Sequence, residues 1–129
     1  MSDRCYMRVT CRRADAALFL DEGFFEDGDE GAPLADLVDE EANYAHQSLL
    51  EDMARRGIEF YGWNAAGDDY GPARFHGADG VYREAQTDSD LQLCVRVGED
   101  GVDPEEVAAA AAYLRSEKAL IARLAELAP

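Results

Sequence analysis

Residues 4–12 alternate in strict register. Cys5, Met7, Val9 and Cys11 fall on one side, and Tyr6, Arg8, Thr10 and Arg12 on the other. That period of two predicts a half-buried strand. Residues 14–22 read as a short helix with Ala17, Leu18 and Phe19 available for packing, and Gly23 as its C-cap. The Gly- and acid-rich stretch from Phe24 to Pro33 reads as a loop. Residues 34–41, with Leu34, Leu37 and Val38, fit either a short strand or an opening helical turn. Asn43 is a fair N-cap for a helix over 44–56, with His46, Leu49, Leu50 and Met53 on one stripe and Gly57 ending it.

Strand-like runs then follow at 58–63, 73–76, 81–87 and 91–97. The first two are separated by a Gly-rich loop from Gly62 to Pro72. The others are separated by turns at Asp79-Gly80 and Asp88-Ser89-Asp90. The last helix has the clearest start: Asp103 as N-cap, Pro104 at the first helical position, and Glu106 placed for a capping box. Val107, Ala111, Leu114, Ile121 and Leu124 predict its apolar stripe, running to about Leu127. These elements predict a single α+β domain over residues 1–129. It would be an antiparallel sheet of four to five strands with two or three packed helices, including the long C-terminal one.

Charge changes the picture. The chain carries 28 Asp and Glu against 12 Lys and Arg, a net charge of -16, with 47% hydrophobic residues. That core content separates it from acid-rich disordered segments. Between Arg13 and Arg55 there is no Lys or Arg, yet there are thirteen acids. Ten of these run from Asp21 to Glu41: Asp21, Glu22, Glu26, Asp27, Asp29, Glu30, Asp36, Asp39, Glu40 and Glu41. Nucleic acid and anionic membrane are poor direct partners for such a surface, and a basic protein surface is its complement. Salt adaptation is the competing account, and it predicts acids spread evenly over the surface.

Candidate chemistry is sparse. The loop from Gly62 to Pro72 offers Trp63 and Tyr70 as contact area and Asp68 and Asp69 as charge, but it lacks the phosphate-binding glycine patterns. His46 and His76 stand in no metal-ligand spacing, and Asp27 to Gly31 is only a fragment of a calcium loop, so neither metal nor cofactor is expected. Cys5, Cys11 and Cys94 form an odd set without paired spacing, which suits reduced thiols in a cytoplasm. No catalytic set stands out. A small cysteine-dependent enzyme would require Cys94 to meet His46 or His76.

Three segments, Tyr6-Met7-Arg8-Val9-Thr10, Ala42-Asn43-Tyr44-Ala45-His46, and Gly57 to Gly62 followed by Tyr70-Gly71-Pro72, look like those of small phage and mobile-element proteins. In size and charge the whole chain is similar to DNA-mimic inhibitors of host defence, including acidic anti-CRISPR and antirestriction proteins. That resemblance implies a non-enzymatic inhibitor occupying the nucleic-acid path of a CRISPR effector or restriction enzyme in the host cytoplasm. On this reading the ten acids engage Lys and Arg of the partner, with Tyr44, Trp63 and Tyr70 as apolar anchors and Asp68 and Asp69 beside them. The alternative is an acidic accessory module, dimeric through its sheet face or last helix.

Overall fold

A computed structural model describes residues 4–126 of the chain. The alternating N-terminal stretch forms strand β1 (Arg4–Arg12), with Cys5, Met7, Val9 and Cys11 buried. A single 3-10 turn leads into the short helix α1 (Ala16–Leu20), whose Phe19 is fully buried. After Gly23 come β2 (Phe25–Glu26) and β3 (Leu34–Asn43), which resolves the ambiguous segment as a ten-residue strand. Helix α2 (Gln47–Arg55) and strands β4 (Phe60–Asn64), β5 (Ala73–Ala78) and β6 (Val81–Gln86) follow. A two-residue hairpin, β7 (Val97–Gly98) with β8 (Gly101–Val102), precedes the long helix α3 (Pro104–Ala125).

The architecture is α+β, as the pattern predicts. The main sheet has six strands in the order β2-β3-β1-β4-β5-β6, every neighbouring pair antiparallel. It exceeds the expected four or five because residues 34–43 and 25–26 both pair. Conversely, residues 91–97 do not form the expected strand. Leu93 makes one isolated bridge to Thr87, and only Val97–Gly98 is extended and paired. The cause is local. The Asp88 carboxylate accepts from the backbone N–H groups of Asp90 and Gln92, both at 2.9 Å, and Leu91 turns left-handed at φ 63°. Such an Asx turn diverts the chain from the sheet.

Two faces result. One face, carrying Met7, Val9, Cys11, Leu37, Phe60 and Phe75, packs with Phe19 of α1 and Leu50 and Met53 of α2 into the main core. The other face receives α3, whose Leu120 and Leu124 join Ala78, Tyr61 and Leu34 in a smaller cluster.

The start of α2 differs from expectation, and that of α3 matches it except for the capping box. Asn43 ends β3 instead of capping α2. Tyr44, Ala45 and His46 all take left-handed φ of 50–54° before the helix begins at Gln47. Asp103 caps α3 by accepting from Glu105 N at 2.9 Å, but the Glu106 carboxylate turns to Arg96 N, also at 2.9 Å, in place of a capping box. The apolar stripe holds at Leu124 but is otherwise displaced. Tyr113, Glu117, Leu120 and Leu124 are buried, while Val107, Leu114 and Ile121 are exposed. The sheet beneath α3 presents Arg74 and His76, so the inward face must supply polar partners as well as apolar bulk. Leu127, the expected helix end, lies outside the described residues.

Candidate functional site

The acids from Asp21 to Glu41 lie on α1's C-terminal end, β2, β3 and the β2–β3 loop. Because β2 and β3 are the outermost strands on that side, the acids gather along one edge of the sheet. They do not share one face. Alternation sends Asp36 to the side of Thr10, whose Oγ1 donates to it at 2.7 Å, and sends Asp39 to the opposite side.

The stretch is base-free in sequence but not in space. Strand β1 pairs antiparallel with β3, and it and the turn after it bring arginines across. Arg4 meets Glu41 at 3.4 Å, Arg8 meets Asp27 at 2.8 Å, and Arg13 meets Glu26. Arg13 also donates to the carbonyls of Asp29 and Ala32, fastening the β2–β3 loop. Asp39 accepts from the His46 ring at 2.8 Å and from Glu41 N at 2.9 Å. Asp29 Oδ1 accepts from Gly31 N at 2.8 Å. Asp21, Glu22, Glu30 and Glu40 are exposed and have no ion pair among the described residues. Arg12 turns away to Glu59, which it shares with Arg123. Burial alone would raise the Glu59 carboxyl, but hydrogen bonds from Arg123 and Arg12 outweigh it and hold it below the usual range.

The aromatic residues divide. Tyr44, 48% exposed, lies just past the end of β3 beside Tyr70, with ring centroids 6.4 Å apart. Trp63 points to the other face of the sheet, opposite Arg8 and Arg74, and stacks on Tyr6 at 5.5 Å. Asp68 and Asp69 are exposed on the loop before Tyr70. Tyr44 and Tyr70 therefore continue the acidic edge, and Trp63 does not.

Sequence reasoning missed the polar cluster under α3. Glu117, 6% exposed, receives the Arg74 guanidinium and the Tyr113 hydroxyl, the latter at 3.0 Å. Next to it the His76 ring meets Ser116 Oγ at 2.8 Å. The spacing of Tyr113 and Glu117, one turn apart beside Leu120 and Leu124, is the only signal that would have marked this face.

Cys94 is exposed and shares its surroundings with Gln86, Glu106 and Tyr113. His46 instead sits on Phe24 near β3, and His76 lies on β5 under α3. Cys5 and Cys11 are buried, and burial pushes the Cys11 thiol up to about 12. Among the described residues, no group of three or more His, Cys, Asp or Glu is placed to hold a metal ion. No described helix is long and apolar enough to cross a membrane. The chain matches no protein-family model, no curated protein and no solved structure with which it was compared.

Proposed function

We propose that this chain is a non-enzymatic, protein-binding inhibitor. Its acidic sheet edge would take the place of nucleic-acid phosphates on a basic nucleic-acid-binding protein, and a CRISPR effector or a restriction enzyme is the candidate partner. The supporting observation is the gathering of ten carboxylates on one edge, met there among the described residues by Arg4, Arg8, Arg13 and the His46 ring. Strand β3 spans ten residues, so the edge is roughly 33 Å long. Strand β3 itself carries four of the ten, about one per 8 Å, and β2, its loop and the end of α1 set the other six beside it, against about 3.4 Å per phosphate along one strand of duplex DNA. The acids are carried on paired strands and a loop fastened by Arg13, which keeps the spacing fixed without ordering cost on binding.

The test is capture from host lysate at low salt on the immobilised chain, followed by a salt ramp. A variant with Asp21, Glu22, Glu30 and Glu40 all changed to Lys is run in parallel. These side chains are exposed, so the fold should survive their reversal. Basic nucleic-acid-binding proteins should elute early in the ramp, be displaced by duplex DNA, and fail to bind the variant. Equal retention by the variant would overturn the placement.

A second reading has its own observations. Acids are also exposed at Asp79, Glu99, Asp100, Glu105 and Glu126, far along the chain from this edge. Val107, Leu114 and Ile121 on α3, with Val97 at 73% exposed, offer apolar surface. These fit a salt-adapted accessory module that self-associates. Light scattering separates the readings: such a module dimerises at high salt, whereas the inhibitor stays monomeric.

A further inference from the structure

A cavity of about 110 Å³ lies on the face of the sheet that packs against α2, between Tyr44, just past the end of β3, and strands β4, β5 and β6. Tyr44, Tyr70, Tyr82, Asn64, Ala73 and Glu84 are among the residues that line it. At about 30 Å³ per water it has room for about three or four waters. It is well below the roughly 300 Å³ at which drug- or cofactor-sized pockets begin. That volume matches a head group and not a whole cofactor.

The walls define which head group. Three electron-rich rings meet there, Tyr44 and Tyr70 at 6.4 Å and an interplanar angle of 40°. Tyr82 is fixed from behind by Phe75, stacked at 6.4 Å, and its hydroxyl donates to Glu84 at 3.0 Å. No Lys, Arg or His lines the cavity. Ring faces and a carboxylate together attract a cation, and the attraction grows as the cation leaves water.

The backbone is committed to this arrangement. Tyr44, Ala45 and His46 occupy three successive left-handed conformations, each unfavourable for a residue with a side chain. The Asp39–His46 contact at 2.8 Å and the Phe24–His46 ring contact at 5.2 Å hold the segment in place. A helix starting at Asn43 would have been less strained. The strained form instead sets Tyr44 beside Tyr70.

We infer that this cavity is a cage for the head group of an organic cation, an alkylammonium or a guanidinium. Such a group could come from a Lys or Arg side chain of a partner or from a free small molecule. The cage relies on the basic-partner reading only for the first of these sources.

The experiment is an NMR titration of the intact chain, with its tyrosines isotopically labelled. The probes are tetramethylammonium chloride, Nα-acetyl-arginine amide and Nα-acetyl-lysine amide. Nα-acetyl-glutamine amide is the neutral control, and sodium chloride matches the ionic strength. Saturable shifts at Tyr44 and Tyr70 are expected, with the probe's N-methyl protons moving upfield and glutamine amide inert. Tyr44→Leu and Tyr70→Leu should each weaken binding about threefold or more. Glu84→Gln, at an exposed position that leaves the fold untouched, should weaken it as well. Binding of the amino-acid amides alone assigns the cage to a partner's side chain, and tighter binding of tetramethylammonium assigns it to a free quaternary cation. Shifts no larger than those with sodium, or shifts centred on Asp21 to Glu41, overturn the cage. The Lys variant of Asp21, Glu22, Glu30 and Glu40 separates the two proposals: it should lose the macromolecular partner and keep the cage.

Discussion

His76 gives the fold a pH dependence with a definite sign. Its ring is fully buried between β5 and α3, Nε2 meets Ser116 Oγ at 2.8 Å, and Nδ1 has no hydrogen-bond partner among the described residues. Protonation would make both ring nitrogens donors, and Nδ1 faces no acceptor among the described residues. Burial lowers the pKa from 6.5 to about 4, with Glu117 opposing the shift and Arg83 and Arg74 adding to it. A group whose folded pKa is depressed contributes stability that is fully present above its unfolded value. That contribution is lost as pH falls towards the folded value. The window here is 6.5 down to about 4. Over that window the loss amounts to about 3 kcal/mol at about 1.4 kcal/mol per pH unit. Stopping at pH 4.5, before most carboxylates titrate, leaves about 2.5 kcal/mol of it to be seen. The perturbation is His76→Gln, which keeps a donor towards Ser116 and removes the titration. The assay is urea unfolding of both proteins between about pH 7.5 and 4.5, and the quantity read is their difference in stability. The carboxylates are common to both and cancel. The wild-type advantage should shrink by about 2.5 kcal/mol across the range. A difference constant to within about 0.5 kcal/mol, the spread usual for independent effects, would refute the reasoning.

Four further outcomes follow from packing and burial. Gly62→Ala would set a Cβ 2.0 Å from the Arg8 carbonyl oxygen and 3.0 Å from Phe75, so β4 and β1 cannot both keep their places. The variant should lose several kcal/mol in thermal unfolding, at or beyond the roughly 1–3 kcal/mol of ordinary overpacking. Gly80→Ala, in open space at φ 77°, should cost only about 1 kcal/mol. Arg74→Met should cost about 3–5 kcal/mol by stranding the buried Glu117, and adding Glu117→Leu should restore much of it, as a double-mutant cycle by urea unfolding will show. Cys94 should react with a thiol reagent in the native state, while Cys5 and Cys11 react only on unfolding, which mass spectrometry of timed samples resolves.

The α+β class, β1, the β4–β5–β6 meander and the start of α3 were legible because period and cap chemistry there agree with the final packing. Residues 34–43 were not, because Asp36, Asp39, Glu40 and Glu41 break the apolar alternation of a strand. Their charge is tolerated since β3 has only two residues of β2 beyond it and is otherwise the sheet's edge. The start of α2 was obscured because Asn43 has the right side chain for a cap, and the Asp39–His46 contact that favours another path is tertiary. On α3, hydrophobicity selected Val107, Leu114 and Ile121. The arginine and histidine beneath the helix required Glu117 and Ser116, and no single-helix pattern carries that information.

The same pairing of β1 with β3 alters what the acidic run means. Arg4, Arg8 and Arg13 hold Glu41, Asp27 and Glu26, so those acids are largely spoken for within the fold. Surface pairs of this kind contribute about 1 kcal/mol or less each, which a partner's guanidinium can replace without much loss. Among the described residues Asp21, Glu22, Glu30 and Glu40 have no such neutralisation, and like charges along the edge repel one another. A second, independent use for that repulsion is to keep β3's exposed edge from pairing with another copy. The two uses differ in one respect. A guard needs only charge on the edge, and any screening salt relieves its strain and lets copies meet. A docking edge needs a fixed spacing, and Arg13 supplies it by tying the β2–β3 loop to the end of β1. Replacing Arg13 by Lys keeps the charge but loses the forked contacts to two carbonyls and Glu26. Partner affinity should then fall while solubility and monomeric state stay as they were, which a guard alone would not produce.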